Sequence, residues 1–445
     1  MAAETFLARL DRVPLNRFHW RLLAVAGVGS MFDAMDVILI AFLLAPIRAE
    51  LGLDIGQTAF VGSAGFVGML IGAALAGRLA DQLGRKRVFE ATLLLFSVGA
   101  LLSAIAPSFE TLLAARVIAG LGLGGELPVG ATLVSEYAPR ASRGRLVVLL
   151  ESFWAYGAIL AGVIALLVLP QLGWRGAFVV GALPALYVAF LRRALPESPR
   201  FLAEHGRAAE ADAVVRRVER EGGGALITVA RPIAPERSAA GSISVGTLVA
   251  PRYARRTALL GVLWFGLTLA SYGTFRSLPA VLGGRGLTTA DAYQYFFIAA
   301  LAQVPGYLSA AWLVERLGRR ATLISYLVGS AVAAFLLVGN GSTEQVVLFA
   351  ALLSFFTSGA GGVAYALSPE LYPTAVRATG AGVAAAIGRI GALVGPVLVS
   401  ILAVSLGDPG VTGMFIGLLL VTAAAVGLFR EEPRGRSLEE LSPAA

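Results

Sequence analysis

Seven ionisable side chains interrupt the long apolar stretches of this chain, and they have the most chemistry to offer. They are Asp33, Asp36, Glu126, Glu151, Arg116, Arg276 and Arg389. An ionisable group in an apolar stretch is costly to expose to lipid, so each is expected to face a polar cavity or a partner. A guanidinium can hold a carboxylate through two parallel hydrogen bonds. A buried carboxyl can load and release a proton when its surroundings change.

The position of Arg389 makes it the first candidate to bind a carboxylate ligand. It lies about ten residues into an apolar stretch, near mid-depth. Arg276 lies near the outer end of another stretch, where it contacts a ligand or simply extends its charge to the surface.

The four acids are candidate proton carriers. Asp36 is the first choice and Glu126 the second, with Asp33 and Glu151 as further candidates. Asp33 and Asp36 are three residues apart, so they share one helix face. In the alternative interpretation, Arg116 forms a fixed ion pair with Asp33 or Asp36 that only orders the N-terminal part of the chain.

Aromatic and amide side chains in the same stretches could hold a flat ring. Trp154, Tyr272 and Phe275 are candidates to sandwich it. Gln303, Tyr307 and Tyr365 could supply polar groups to the same ligand, and the first two are four residues apart. The alternative for each aromatic is packing or anchoring at the membrane interface.

The composition indicates the elements that must position these residues. The 445 residues are 57% hydrophobic and only 14% charged, and the mean hydropathy is +0.78; a soluble domain carries about 25% charged residues. We therefore predict an all-α membrane protein with twelve transmembrane helices. The predicted spans are 21–45, 57–80, 88–106, 111–134, 145–169, 177–191, 257–281, 293–314, 321–338, 345–367, 379–402 and 412–429.

Several classes of chemistry are excluded. The absence of cysteine excludes disulfides, thiol nucleophiles and Cys-based metal sites. The only histidines, His19 and His205, lie in polar segments. The glycines at 120–124 lie in an apolar span without a following Lys-Ser/Thr, which argues against ATP-driven transport. We expect no enzyme activity, cofactor or metal.

Basic residues indicate the orientation of the chain. Most arginines and the only lysine, Lys86, lie on one predicted side, together with the loop 192–256. The other side carries only Arg48, Arg175 and Arg285. The positive-inside rule places both termini and this loop in the cytoplasm. The net charge of +8 is therefore a topology signal, and no nucleic-acid partner is expected.

The chain resembles itself at one fixed offset. The segment from Asp81 to Lys86 matches the segment from Glu315 to Arg320, 234 positions later, and Glu136 and Arg143 match Glu370 and Arg377. Two six-helix bundles, 1–191 and 257–430, are predicted, joined by a cytoplasmic linker with a surface helix at 192–256 and followed by a tail at 431–445. Parallel repeats of this kind are typical of transporters, with a binding site between the halves.

The repeated loop charges are candidates for a latch that closes the cytoplasmic face. Asp81 can face the N-terminus of another helix and the nearby basic residues. The predicted latch residues are Asp81, Arg85, Lys86, Glu136, Arg143, Glu315, Arg319, Glu370 and Arg377. The alternative is a static cluster of ion pairs that serves only topology.

Four stretches resemble signatures of the major facilitator superfamily. They are GRLADQLGRKR (77–87), RVIAGLGLGG (116–125), PESPRFL (196–202) and EEPRGRSLEEL (431–441), of which the last two resemble its sugar-porter branch. The seventh predicted span, however, lacks the paired glutamines typical of that branch.

A closer resemblance is to the bacterial niacin transporter group, which is related to aromatic-acid/proton symporters and synaptic-vesicle-type transporters. The matching stretches are FDAMDV (32–37), GLGGELPV (122–129), LLESFWA (149–155), LAQVPGYLSAAWL (301–313), PELYPTAVRATG (369–380) and GRIGALVGP (388–396). One departure bears on specificity: the group has an apolar residue and a large aromatic where this chain has Arg276 and Ser277.

The resemblance implies a monomeric secondary transporter. It would import a small aromatic carboxylate by alternating access with proton coupling, and nicotinate is the first candidate substrate. Its partners would be this substrate, protons and membrane lipid. Porters of other aromatic acids, sugars or organic cations are alternatives within the superfamily. A non-transporting membrane receptor or scaffold is the alternative of another class.

Overall fold

The computed structural model describes residues 6–184, 186–187, 195–222, 245–283, 289–338, 342–429, 432–436 and 438–441. For residues 272–283 and 289–296, and at several positions after 395, it describes the backbone alone. Within these ranges the chain is helical and contains no strand. The all-α prediction is therefore confirmed for the described residues.

The N-terminal half of the chain, before the linker, contains eight described helices. They are α1 (Phe6–Arg12), α2 (Arg17–Leu51), α3 (Ile55–Leu83), α4 (Arg85–Ala104), α5 (Phe109–Tyr137), α6 (Arg143–Glu151), α7 (Phe153–Leu167) and α8 (Leu169–Gly181). The linker contains α9 (Pro199–Glu204) and α10 (Ala208–Glu221).

The C-terminal half contains five long helices and a short one in the tail. They are α11 (Pro251–Gly283), α12 (Thr289–Arg316), α13 (Arg319–Val338), α14 (Thr343–Glu370), α15 (Arg377–Gly427) and α16 (Leu438–Leu441). Gly407 has φ 64° and ψ 173°, so α15 is two helices joined by a tight turn, as the separate predicted spans at 379–402 and 412–429 require.

Ten described segments are long and apolar enough to cross a membrane. They cover every predicted span except 177–191 and 257–281, which both run into residues or side chains that the structure leaves undescribed. The protein is thus multi-pass, and the full count of twelve stays a prediction.

Side-chain caps fix where several of these helices begin. Asn16, Asp54, Ser108 and Ser342 each accept hydrogen bonds from the first turn of the helix that follows, and the third helical residue bonds back to the cap. Such capping boxes satisfy backbone donors that would otherwise have no partner. The three helices that follow Asp54, Ser108 and Ser342 begin two residues before the predicted spans, and the helix that follows Asn16 begins four residues before.

The helices expose apolar stripes outward and pack small residues inward. The large exposed residues along α3 include Val67, Ile71, Leu75, Leu79 and Leu83, each four residues from the next. The opposite face packs closely on α5. An apolar stripe on the outside is the arrangement expected of a helix that faces lipid.

Two tight turns repeat between the halves. Gly84, between α3 and α4, has φ +110°, and Gly318, between α12 and α13, has φ +89°. Only glycine adopts this backbone conformation without a steric penalty. The two glycines lie at equivalent places in the internal repeat.

The two halves touch at the end of the molecule that carries these turns and the linker helices, which we call the linker end. There α3 packs against α15, and α6 packs against α12 and α14. A Cβ atom added to Gly77 would overlap the carbonyl of Ala378, and one on Gly382 would overlap that of Ala73. The backbones of α3 and α15 are therefore in direct contact, and the linker end is closed.

Candidate functional site

A cluster of buried acids lies in the N-terminal half. Asp33 on α2 and Glu126 on α5 are both fully buried. None of their four carboxyl oxygens has a hydrogen-bond partner among the described residues. A Cβ on Gly29, one turn before Asp33, would overlap Glu126 Oε1, so the carboxyl of Glu126 lies directly against α2. The charges that act on Asp33 are those of Glu126, Arg389 and Asp36.

Arg389 reaches this cluster from the C-terminal half. It is 4% exposed, and it lies within electrostatic reach of both Asp33 on α2 and Glu151 at the end of α6. Glu151 Oε1 has no hydrogen-bond partner in the described part of the chain. A guanidinium of one half therefore lies among carboxyls of the other half.

Helix α11 holds the backbone beside Arg389. Thr268 Oγ1 donates a hydrogen bond of 2.6 Å to the carbonyl of Gly388. The ring of Trp264 also packs on Gly388, where an added Cβ would lie 3.2 Å from it. These contacts leave little freedom for the backbone that carries the guanidinium.

Asp36 is paired, unlike Asp33. Arg116 on α5 donates to its two carboxyl oxygens at 3.0 and 2.5 Å, and both residues are buried. The guanidinium also lies 5.2 Å from the centre of the Phe178 ring. This geometry is the ion-pair alternative of the sequence analysis, with Asp36 as the partner.

Aromatic side chains of α11, α12 and α14 lie around the same level. The rings of Trp264 and Tyr365 meet edge to face with centroids 4.4 Å apart, and Trp264 Nε1 donates to Ser368 Oγ at 2.9 Å. Tyr307 on α12 and Val148 on α6 both come within 3.1 Å of the position that a Cβ on Gly362 would take. Because Val148 is one turn before Glu151, this contact brings α6 of the N-terminal half to the tyrosines of the C-terminal half.

The remaining predicted ligand contacts are less closely placed. Gln303 is buried one turn before Tyr307. Trp154 is half-buried and packs against the main apolar core. The side chains of Tyr272, Phe275 and Arg276 lie outside the described residues, so their predicted roles stay predictions.

An open cleft lies at the end of the bundle away from the linker. Its volume is about 700 Å³. It is formed by the end of α2 and the start of α3, and it is lined by Ala41, Leu44, Ala45, Arg48, Ala49, Gly52, Leu53 and Thr58.

Asp81 joins the two halves at the linker end. Its carboxylate accepts hydrogen bonds from the backbone N–H groups of Ala378 and Thr379, at 3.3 and 2.7 Å, and from Thr379 Oγ1 at 2.7 Å. Arg85 lies 2.9 Å from it. The helix N-terminus that Asp81 contacts is that of α15 in the other half.

Glu136 is the centre of the contacts at the linker end. It binds Arg85 of its own half through both oxygens at 3.2 Å and Arg377 of the other half at 2.9 Å. Ser198 of the linker donates to it at 2.5 Å. Arg85 also donates to the carbonyl of Thr374 across the interface, at 2.8 Å.

The second copy of the repeat forms a simpler set of contacts. Arg319 binds both oxygens of Glu370, at 3.0 and 2.8 Å, and lies 3.5 Å from Glu315. Glu315 also accepts a hydrogen bond from the backbone N–H of Arg145, at 2.9 Å, which again joins the halves.

Two predicted latch residues have other partners. Lys86 lies 3.8 Å from Glu90 on its own helix. Arg143 binds Asp11 of α1 at 3.0 Å and donates to the carbonyl of Arg436 in the tail at 3.2 Å. Arg143 therefore connects the N-terminal helix with the C-terminal tail.

Comparison with known proteins identifies the family. The family model described as "Sugar (and other) transporter" matches residues 30–445. The chain belongs to this family.

The sequences of two curated relatives align with nearly the whole of this chain. The niacin transporter NiaP of Acinetobacter baylyi is 42% identical over 98% of this chain and 99% of its own length. The putative niacin/nicotinamide transporter NiaP of Bacillus subtilis is 40% identical over 94% of this chain and 98% of its own.

A solved structure confirms the transporter fold. The proton:xylose symporter XylE of E. coli, a major facilitator superfamily protein, superimposes with a TM-score of 0.74 over 95% of this chain and 98% of its own. The two sequences are 21% identical, so the likeness shows the fold alone.

Sequence reasoning about this transporter missed several residues that the structure places in the site and in the linker-end contacts. Trp264 and Thr268 carry no charge and resemble ordinary packing residues. Glu197 accepts from the backbone N–H groups of Arg85 and Lys86, and Glu432 accepts from those of Arg319 and Arg320. These two glutamates lie almost one repeat apart, so the internal offset was a signal that could have found them.

Proposed function

We propose that this transporter carries nicotinate across the bacterial plasma membrane by alternating access with proton coupling. The observation that carries the proposal is the buried guanidinium of Arg389, which lies between the two halves with aromatic side chains nearby. The two relatives described above are named for niacin and match nearly the full chain. A ligand with one carboxylate and one flat ring fits such a combination of side chains.

In this proposal Arg389 holds the carboxylate and aromatic side chains hold the ring. Tyr365 and Tyr307 are buried at the level where the halves meet, and Gln303 is one turn from Tyr307. Trp154, Tyr272, Phe275 and Arg276 complete the proposed set. Trp264 packs on Gly388 and Tyr365, so it would hold the backbone next to Arg389 and the ring of Tyr365 in place.

The proton would be carried by Asp33, Glu126 or Glu151 in preference to Asp36. Asp36 is bound through both oxygens to Arg116, which favours a role in ordering α2 against α5. The other three acids are buried, and at least one oxygen of each has no hydrogen-bond partner among the described residues. A carboxyl in such a place is stable only when it is protonated or near a cation, so it can change state during a transport cycle.

The closed linker end supports alternating access. Five predicted latch residues bind across the halves: Asp81, Arg85, Glu136, Glu315 and Arg377. With twelve spans in two bundles and both termini in the cytoplasm, the linker end would be the cytoplasmic gate. The cleft at the opposite end would then be part of the entry from outside, and transport would run inward through a monomer.

A second candidate substrate is an organic cation. The described part of the site holds three buried carboxyls, those of Asp33, Glu126 and Glu151. The charge of Arg389 acts on Asp33 and Glu151, so the local excess of charge is negative when all three acids are ionised. In that case the acids would bind the substrate and Arg389 would balance them.

Uptake into proteoliposomes with an imposed pH gradient tests these proposals. Labelled nicotinate should accumulate when the outside is acidic, and nicotinamide should compete poorly. Losing a buried charge-assisted pair costs about 2–5 kcal/mol, so nicotinamide should bind at least about 30-fold more weakly. Arg389→Lys should also bind nicotinate weakly, because an ammonium lacks the planar fork.

The competitor panel distinguishes the alternatives. Benzoate should compete, whereas xylose and choline should not. Equal competition by nicotinate and nicotinamide would contradict the role of Arg389. Competition by choline alone would favour the organic-cation candidate.

A further inference from the structure

Two arginines of the C-terminal half meet at the last turn of α15. Arg255 on α11 donates a hydrogen bond of 2.8 Å to the carbonyl of Leu428, and Arg320 on α13 donates to the carbonyl of Gly427. Because these acceptors belong to consecutive residues, the two guanidiniums lie side by side. Each contact uses one nitrogen of a group that carries five N–H donors, and both residues are exposed. Donors of both arginines are therefore available at the surface.

The same pair of basic positions occurs 234 residues earlier in the N-terminal half, as Arg21 and Lys86. There each basic residue has an acid beside it. Arg21 binds Glu221 of α10 at 2.8 Å, and Lys86 lies 3.8 Å from Glu90 on its own helix. In the C-terminal half the position equivalent to Glu90 is Ile324, and Glu221 belongs to the linker between the repeats. The C-terminal pair therefore keeps the two charges without these two acids.

The charge around this pair is positive. Arg252 is exposed and lies three residues before Arg255, so both share one face of α11. The carboxylate of Glu432 lies beside Arg320 and accepts hydrogen bonds from the backbone N–H groups of Arg319 and Arg320. This carboxylate offsets only part of the charge of three exposed guanidiniums. We call Arg252, Arg255 and Arg320 the basic surface.

Exposed apolar side chains continue from the basic surface along the outside of the bundle. Leu428, at the end of α15, is 59% exposed, and Leu317, just after α12, is 53% exposed. Trp312 is also exposed, and the guanidinium of Arg316 lies 4.2 Å from the centre of its ring. Tryptophan and arginine at the edge of an apolar band are typical of the boundary between membrane and water. The basic surface therefore lies at the level of the lipid headgroups.

We propose that the basic surface binds the phosphate of an anionic phospholipid in the leaflet at the linker end. A guanidinium holds phosphate oxygens through paired hydrogen bonds, and two guanidiniums from different helices can hold one phosphate between them. The acyl chains would lie on the exposed leucines. A phosphate bound in this way connects α11 with α13 at the end of α15, so the lipid should stabilise the packing of these three helices. This inference does not depend on the transported substrate.

Titration of the detergent-solubilised protein with short-chain phosphatidylglycerol, followed by native mass spectrometry, measures the affinity. Wild-type protein should bind this lipid several-fold more tightly than phosphatidylcholine of the same chain length. A basic residue at the membrane surface contributes enough that Arg255→Gln and Arg320→Gln should each weaken binding about fivefold, and the double variant about thirtyfold. Glutamine can still donate to the carbonyls of α15, so the fold should persist, which unfolding temperatures without lipid verify.

Arg21→Gln is the matched control for Arg255→Gln, because it removes one charge at the equivalent position of the N-terminal half. It should keep the wild-type affinity for phosphatidylglycerol. Equal weakening in Arg21→Gln and Arg255→Gln would overturn the inference, since the lipid would then respond only to total charge. Equal binding of the two lipids by the wild type would also overturn it.

Thermal unfolding in detergent provides a second measurement. Phosphatidylglycerol should raise the unfolding temperature of the wild type and of Arg21→Gln, and it should have little effect on the Arg255→Gln/Arg320→Gln double variant. Inorganic phosphate at the same concentration should not reproduce this stabilisation, because it lacks the acyl chains. Equal stabilisation by inorganic phosphate would show that the surface binds a free anion and would contradict the lipid assignment. An equal shift in wild type and double variant would show that the lipid binds elsewhere.

Discussion

Two aspartates one helical turn apart have opposite environments in this transporter. Asp36 is bound through both oxygens by Arg116, whereas Asp33 faces another acid and Arg389. Their spacing predicts a common helix face and nothing more. The difference arises because Arg116 lies near the start of α5 and Glu126 lies ten residues further along the same helix. Depth along one neighbouring helix therefore separates the paired acid from the proposed proton carrier.

At the residue scale, we expect Asp36→Asn to destabilise the protein strongly. It leaves the guanidinium of Arg116 buried without its counter-charge, which typically costs about 3–5 kcal/mol. The double variant Asp36→Asn/Arg116→Gln should recover much of this loss, because no isolated charge remains. Thermal unfolding in detergent measures both. A single variant as stable as wild type would show that the pair does not order α2 against α5.

Glu204, at the end of α9 outside the membrane spans, provides a pH-dependent prediction. Burial raises its pKa to about 7, against the opposing attraction of Arg85 and Arg377. Because the folded protein holds this proton more tightly than the unfolded chain, the contribution of Glu204 to stability falls as pH rises from about 4.5 to 7.

We expect the Glu204→Gln variant to avoid this loss of stability at higher pH. The variant should gain stability relative to wild type between about pH 5 and pH 8, by roughly 1 kcal/mol after allowance for partial exposure. Glu210→Gln, at an exposed position of the neighbouring helix, is the control and should show no comparable gain. Unfolding temperatures at the two pH values measure the effect, and a pH-independent difference would contradict it.

At the scale of elements, the long helices were predictable and their mutual arrangement was only partly so. Hydropathy located ten of the predicted spans, because each needs enough apolar residues to cross the bilayer. The segments 81–86 and 315–320, which match at the repeat offset, each contain a glycine with positive φ, Gly84 and Gly318. The packing of α1 was not predicted: Arg9 binds Asp212 and Glu219 of α10. These contacts join residues about 200 positions apart, and no local pattern encodes them.

The contact between Asp81 and the N-terminus of α15 provides a test of gating. Asp81→Asn keeps the shape of the side chain but removes the charge that favours the positive end of the helix. We expect slower transport and a less populated closed linker end. The chain lacks cysteine, so Val376→Cys, buried in the interface, can report opening through its rate of labelling.

The expected result is faster labelling of Val376→Cys in the Asp81→Asn background, with the protein still folded. Asp54→Asn, which alters an exposed cap at the opposite end of the same helix, is the control and should leave labelling unchanged. Equal labelling and uptake in Asp81→Asn and wild type would show that Asp81 has no role in the gate.

At the scale of the whole molecule, the internal repeat is not symmetric in its contacts. Arg85–Glu136 and Arg319–Glu370 are equivalent pairs within the two halves. Glu136 additionally binds Arg377 of the other half and Ser198 of the linker. The contacts of Glu370 in the described structure are with Arg319. The sequence predicts the repeat but not this difference, because the linker residues that create it have no part in the repeat.

This asymmetry gives the last prediction. Glu136→Gln removes the one carboxylate that joins both halves and the linker, whereas Glu370→Gln, its repeat equivalent, weakens a pair inside one half. We expect Glu136→Gln to raise the labelling rate of Val376→Cys several-fold more than Glu370→Gln, since only the first releases contacts that must break when the linker end opens. The labelling should be measured at matched unfolding temperatures, because both variants bury a guanidinium with less compensation. Equal labelling in the two variants would mean that the halves are held at the linker end by Asp81 and the contact of α3 with α15, and that Glu136 serves folding alone.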